Sequence, residues 1–161
     1  MSKSFFVSQK NFCVARTARL VREVKNFETK PPWGITCHPE KEDSYDVLLV
    51  TLLGPKGSPY EKGSFKLVVT ITQRYPFEPP LVKFTTPVYH PNIDKGMYYK
   101  VVLSKPQGIL VRVQDLITFV ITLLANPNPD DPLMMDVANE YKYNIDQYLE
   151  NARKTTEKYA I

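Results

Sequence analysis

Apolar positions follow two different rhythms along this chain. Between residues 35 and 85 they alternate with polar ones or run together in short stretches, and beyond residue 113 they recur every three or four positions. Phe65, Leu67, Val69 and Ile71 alternate with Lys66, Val68 and Thr70, which predicts a half-buried strand. Residues 45–53 are β-rich and mostly apolar, as a strand covered on both faces would be, and they end at the Gly54-Pro55 turn signal. Shorter strands are predicted over 35–37 and 81–85. Order and spacing give an antiparallel meander of four strands with short connections.

Helical periodicity frames this sheet. Val14, Ala18, Val21 and Val24 recur at three- and four-residue spacing and predict a helix over 11–27, with Arg16, Arg19 and Arg22 largely on its other side. Pro31-Pro32 forbids its continuation. Leu116, Ile117, Val120, Ile121 and Leu124 form an apolar stripe wide enough for a buried central helix. The run NPNPDDP over 126–132 is incompatible with helix and predicts an ordered loop. Two further helices are predicted over 133–141 and 146–159. The fold class is therefore α+β, with an N-terminal helix, a central helix and two C-terminal helices packed on the sheet. We read residues 1–10 as an N-terminal extension and 11–161 as one domain.

Composition narrows the function classes. A chain of 161 residues supports a single core, and no apolar run reaches the roughly 18 residues that span a bilayer. The first residues lack the apolar core of a secretory signal. Cys13 and Cys37 sit in no metal-binding spacing and make a poor disulfide framework, so a reducing compartment, cytoplasmic or nuclear, is expected. The net charge of +4 fits solubility or an acidic partner surface. Nucleic acid is not expected as a partner, because no basic run carries interleaved aromatics. We expect a monomer that uses no metal and no cofactor and binds no membrane.

Residues 75–92 read YPFEPPLVKFTTPVYHPN, which resembles the signature of ubiquitin-conjugating enzymes. The resemblance runs over nearly the whole chain, in order, through PPWGITC (31–37), PYEKGSFKL (59–67), RYPFEPP (74–80), TTPVYHPNID (85–94), NPNPDDPLM (126–134), EYKYN (140–144) and NAR (151–153). It is closest to the T-type branch of that family. It implies the family's UBC fold, a four-stranded sheet with four helices, in agreement with the periodicity.

One departure stands out. About ten residues after HPN the family carries a cysteine that holds ubiquitin as a thioester, and this chain reads IDKGMYYKVV there. The cysteine position aligns with Tyr99 if one residue is deleted at Lys95-Gly96; a shifted gap offers Tyr98 or Lys100. At pH 7 a thiol is roughly 3% thiolate and a phenol roughly 0.1% ionised, and thiolate is the better nucleophile. The family's acidic residue two positions on is replaced by Val101, and its Trp and Ser-Pro loop positions by Gln107, Gly108 and Ile109. The apolar run Ile109, Leu110 and Val111 is expected to pack inward or to expose a contact patch.

Other family positions persist. Asn92 matches the asparagine that donates to the oxyanion of the isopeptide-forming step, and Asp131 the acidic residue beside the incoming lysine. Structural alternatives stand beside both: Asn92 tying down its own loop, and Asp131 capping the next helix. His90 reads as a packed, hydrogen-bonded residue. Phe77, in a proline-rich turn, matches an aromatic anchor offered to ligases, with packing beneath the turn as its alternative. Arg16, Arg19 and Arg22 match the basic first-helix face offered to the activating enzyme, or form a solvated face. Cys13 and Cys37 are expected to behave as small buried hydrophobes.

These observations lead us to expect a protein that is not an enzyme. In this reading it is a catalytically inactive relative that binds ubiquitin, an active conjugating enzyme or a ubiquitin ligase. The alternatives are residual acyl transfer through another nucleophile such as Lys100, and a scaffold with no ubiquitin role.

Overall fold

The computed structural model describes residues 3–95, 99–101 and 112–161, with 3–7 and 99–101 described by their backbone alone. In chain order the elements are α1 (Lys3–Thr29), β1 (Ile35–Lys41), β2 (Ser44–Leu53), β3 (Ser64–Thr70), β4 (Leu81–Phe84), β5 (Ile93–Lys95), β6 (Tyr99–Val101), α2 (Val113–Ala125), α3 (Met135–Tyr143) and α4 (Ile145–Tyr159). The α+β class and the antiparallel meander of β1 to β4 are as the sequence predicts. The sheet continues beyond them, in the order β1-β2-β3-β4-β6-β5. Strands β5 and β6 have three residues each, too few for alternation to mark them.

Register explains the core. Leu48, Val50 and Leu52 of β2 share one face with Phe65, Leu67 and Val69 of β3 and with Val82 and Phe84 of β4, and all are buried. Val113, Leu116, Ile117, Val120 and Leu124 of α2, Val137 of α3, and Tyr148 and Ala152 of α4 complete the same cluster. Each such large side chain contributes about 1.5–3 kcal/mol relative to an exposed position.

The first helix differs from its predicted phase. Leu20, Val24 and Phe27 face inward, together with Arg16, whereas Val14 and Val21 are exposed. The stripe over Val14, Ala18 and Val21 instead forms, with Cys13, Thr17 and Arg22, a solvent-facing and largely apolar side of α1. Arg16 takes an inward place because partners await it there. Its Nε donates to the Thr72 carbonyl at 3.0 Å, and its Nη2 to Asp46 Oδ1 at 3.0 Å and the Ile71 carbonyl at 3.3 Å. Arg16 thus fastens α1 to the end of β3. It is not a residue of an open docking face.

Candidate functional site

The turn between β4 and β5 holds His90, Pro91 and Asn92. His90 is almost wholly buried. Its Nδ1 accepts the Asn92 backbone N–H at 3.0 Å, so Nε2 carries the proton and donates to the Leu123 carbonyl at 2.8 Å. The ring therefore links the turn to the end of α2, in the packed role read from the sequence. Burial lowers its pKa to about 4, opposed in part by the bond to Leu123.

Because that value lies below the unfolded one of about 6.5, the unfolded chain takes up the proton first as the solution is acidified. The stability that depends on neutral His90 is full above about pH 6.5, is lost as pH falls, and is gone below about pH 4. Urea unfolding at pH 7 and pH 4.5 should show the native chain losing about 2 kcal/mol more than His90→Gln across that interval. Parallel losses in the two proteins would contradict the buried neutral ring.

Asn92 is also buried, and its amide is fully engaged with the loop between α2 and α3. Nδ2 donates to the carbonyls of Asn128 at 2.8 Å and Asp131 at 3.0 Å, and Oδ1 accepts the Asn128 N–H at 2.8 Å. The Pro91 carbonyl accepts from the N–H groups of Leu133 and Met134 at 2.9 and 3.0 Å. Proline-rich and non-helical, residues 126–132 owe their path to these bonds. In this geometry both Asn92 donors point at carbonyls, which is the loop-tying arrangement. Asp131 contributes its carbonyl to the brace while its side chain is exposed. It does not cap the following helix, because α3 begins at Met135 with Met134 as its cap. Its neighbour Asp130 pairs with Lys142 of α3 at 2.9 Å.

A second surface forms where α1 meets the turn between β3 and β4. Tyr75 is fully buried, while Phe77, two residues on, is 66% exposed. Phe77 stacks on Phe12 of α1 with ring centroids 6.0 Å apart, so it is displayed and not packed beneath its turn. Arg19 reaches the same turn through Tyr75, its guanidinium over that ring and its Nε on Glu23 Oε1 at 2.9 Å. Arg22 is exposed. Glu23, which the sequence reading passed over, joins these parts. The i,i+4 pair Arg19–Glu23 was its one available signal.

The carrier position can be placed only by its backbone. Tyr99 pairs with Phe84 of β4 on one side and Lys95 of β5 on the other. Lys100 and Val101 follow it in β6. Tyr98, Ile109 and Leu110 lie outside the described residues, and so does the patch expected there. The two cysteines are elsewhere: Cys37 is buried in β1 and Cys13 is exposed on α1, against the expectation of a buried side chain. Burial, reinforced by Glu23 and Glu28, pushes the Cys37 thiol up to about 12, so it stays protonated at neutral pH. Among the described residues there is no group of three or more His, Cys, Asp or Glu placed to hold a metal ion. None of the described helices is long and apolar enough to cross a membrane.

The model of a protein family described as ubiquitin-conjugating enzyme matches residues 19–156. The human protein named ubiquitin-conjugating enzyme E2 T is 47% identical over 150 residues, covering 90% of this chain and 76% of its own. Its Xenopus laevis counterpart is 40% identical over 91% of this chain and 78% of its own. Ubiquitin-conjugating enzyme E2 13 of Schizosaccharomyces pombe is 38% identical over 92% of this chain and its entire length. These relatives are enzymes by name, over nine-tenths of the chain. That overturns the expectation of a non-enzyme, which rested on the missing cysteine and the departures at Val101 and at Gln107, Gly108 and Ile109.

Proposed function

The chain belongs to the ubiquitin-conjugating enzyme family, and on that footing we propose that it acts in ubiquitin conjugation by docking the proteins of that reaction. Its partners are ubiquitin and a ubiquitin ligase, received on the surface around Phe77. The acyl-carrying step is where this chain departs from the pattern it resembles. Its only cysteines are Cys13 and Cys37, so any acyl group held after Asn92 rests on an amine or a hydroxyl, with Lys100 the amine nearest the aligned position.

The observation that carries this reading is the display of Phe77. A large aromatic side chain, 66% exposed on a turn whose neighbouring Tyr75 is fully buried, is costly to leave in water and well suited to fill a partner's pocket. Proline residues 76, 79 and 80 stiffen the turn, so little freedom is lost on binding. The intact brace around Asn92 supports the same reading, since it holds the 126–132 loop against the turn that carries the family motif.

Binding to a panel of purified ubiquitin-ligase catalytic domains tests the proposal. At least one should bind, and Phe77→Ala should weaken that binding at least tenfold with the melting temperature unchanged, as expected for a central anchor. Absence of binding across the panel, or equal affinity after the substitution, would remove the reading.

A further inference from the structure

We propose that Glu23 is a positioning residue that links the Phe77 docking turn to the start of α2, so that the two move as one unit. Its carboxylate is mostly buried, with 12% of the side chain exposed. Three elements converge on it. From α1, Arg19 Nε donates to Oε1 at 2.9 Å. From the turn, the Tyr75 hydroxyl donates to both oxygens, at 2.8 and 2.6 Å. From α2, the backbone N–H of Val113 donates to Oε2 at 3.1 Å.

Each contact has its own physical reason. The first N–H groups of a helix have no partner inside it, and a carboxylate there is favoured by the helix dipole as well. Glu23 provides this from another element, ninety residues away in sequence. It complements the local cap, in which the Arg112 N–H and guanidinium meet Asp115 at 3.0 to 3.3 Å. Tyr75 is sealed in the core, and a buried hydroxyl needs an acceptor. Arg19 supplies a positive charge that offsets the buried carboxylate.

The consequence is mechanical. Phe77 follows Tyr75 by two residues, and α2 is the first helix after the carrier position aligned at Tyr99, with Arg112 thirteen residues beyond it in sequence. A partner that seats Phe77 therefore bears on the Tyr75 hydroxyl, through it on Glu23, and through Glu23 on the first amide of α2. The docking role rests on the reading proposed above; the link itself is a property of the free protein.

Amide hydrogen exchange on the free protein tests the link, with the rate at Leu67 in β3 as the measure of global opening. Glu23→Gln places an amide donor where Val113 or Tyr75 needs an acceptor, and it should raise exchange at both Val113 and Phe77 about tenfold relative to Leu67. Tyr75→Phe is the decisive variant. Its lost hydroxyl was bonded to Glu23, yet exchange at Val113 should still rise severalfold, and the double variant should exceed Glu23→Gln by less than twofold. A Val113 rate unmoved by Tyr75→Phe, or one that rises only in step with Leu67, overturns the link. Because no partner is present, a chain that binds no ligase yet shows this coupling fails the proposed function alone.

Discussion

Replacing Asn92 by alanine should cost about 2–4 kcal/mol of folding stability, read from the midpoint of urea unfolding at unchanged slope. The substitution leaves three backbone groups without their partner: the Asn128 N–H and the carbonyls of Asn128 and Asp131. Each group left unsatisfied in a buried setting costs about 1–3 kcal/mol, and water at the exposed side of the loop recovers part of it. Asn92→Asp should be no better tolerated. A carboxylate still accepts from Asn128, but its second oxygen faces two carbonyls in place of two donated bonds. A loss below about 0.5 kcal/mol for Asn92→Ala would show that the 126–132 loop does not depend on this side chain, and the role assigned to it here would fall.

The second large effect concerns two glycines three residues apart. A methyl group on Gly54 would land on the backbone carbonyl of Tyr60. No rotamer relieves that clash, because the turn is closed by Gly54 N–H donating to the Gly63 carbonyl at 2.9 Å and Gly63 N–H to the Tyr60 carbonyl at 2.8 Å. Gly54→Ala should therefore destabilise by about 3 kcal/mol or more. Gly57→Ala is the contrast. Nothing lies within 4 Å of its added methyl, and its φ of +77° alone is unfavourable, so its cost should be about 1–2 kcal/mol. Equal losses in the two variants would show that backbone conformation and not contact governs this turn.

Much of the fold was legible because its elements are long and their periods clear. The alternation of β3 buries Phe65, Leu67 and Val69, and the stripe of α2 buries its predicted side chains except Ile121, which is half-buried. The phase of α1 was not legible, for a physical reason. That helix is apolar on two sides, and the inward side is chosen by Leu20, Phe27 and a buried arginine whose acceptors, Asp46 and the carbonyls of Ile71 and Thr72, lie 30 to 56 residues away. A periodicity argument places charge outward by default and has no view of such partners. The same limit applies to Glu23, whose role exists only once Tyr75 and Val113 are brought beside it.

At the candidate site, the motif located the turn and its braced loop, while the structure decided how Asn92 spends its hydrogen bonds. The inference to a non-enzyme, from a missing thiol and an altered neighbouring loop, weighed those positions too heavily. Family likeness over nine-tenths of the chain speaks for the reaction class, and the local departures speak only for the chemistry at their own places.

The central claim is that this chain takes part in ubiquitin conjugation without a thiol carrier. Incubation of the purified protein with activating enzyme, ATP and ubiquitin, followed by reducing and non-reducing gels, tests it most directly. The account predicts no reductant-labile ubiquitin adduct, because Cys37 is buried and protonated and Cys13 belongs to α1 and not to the segment that follows Asn92. A reductant-labile adduct that disappears in Cys13→Ser or Cys37→Ser would contradict it.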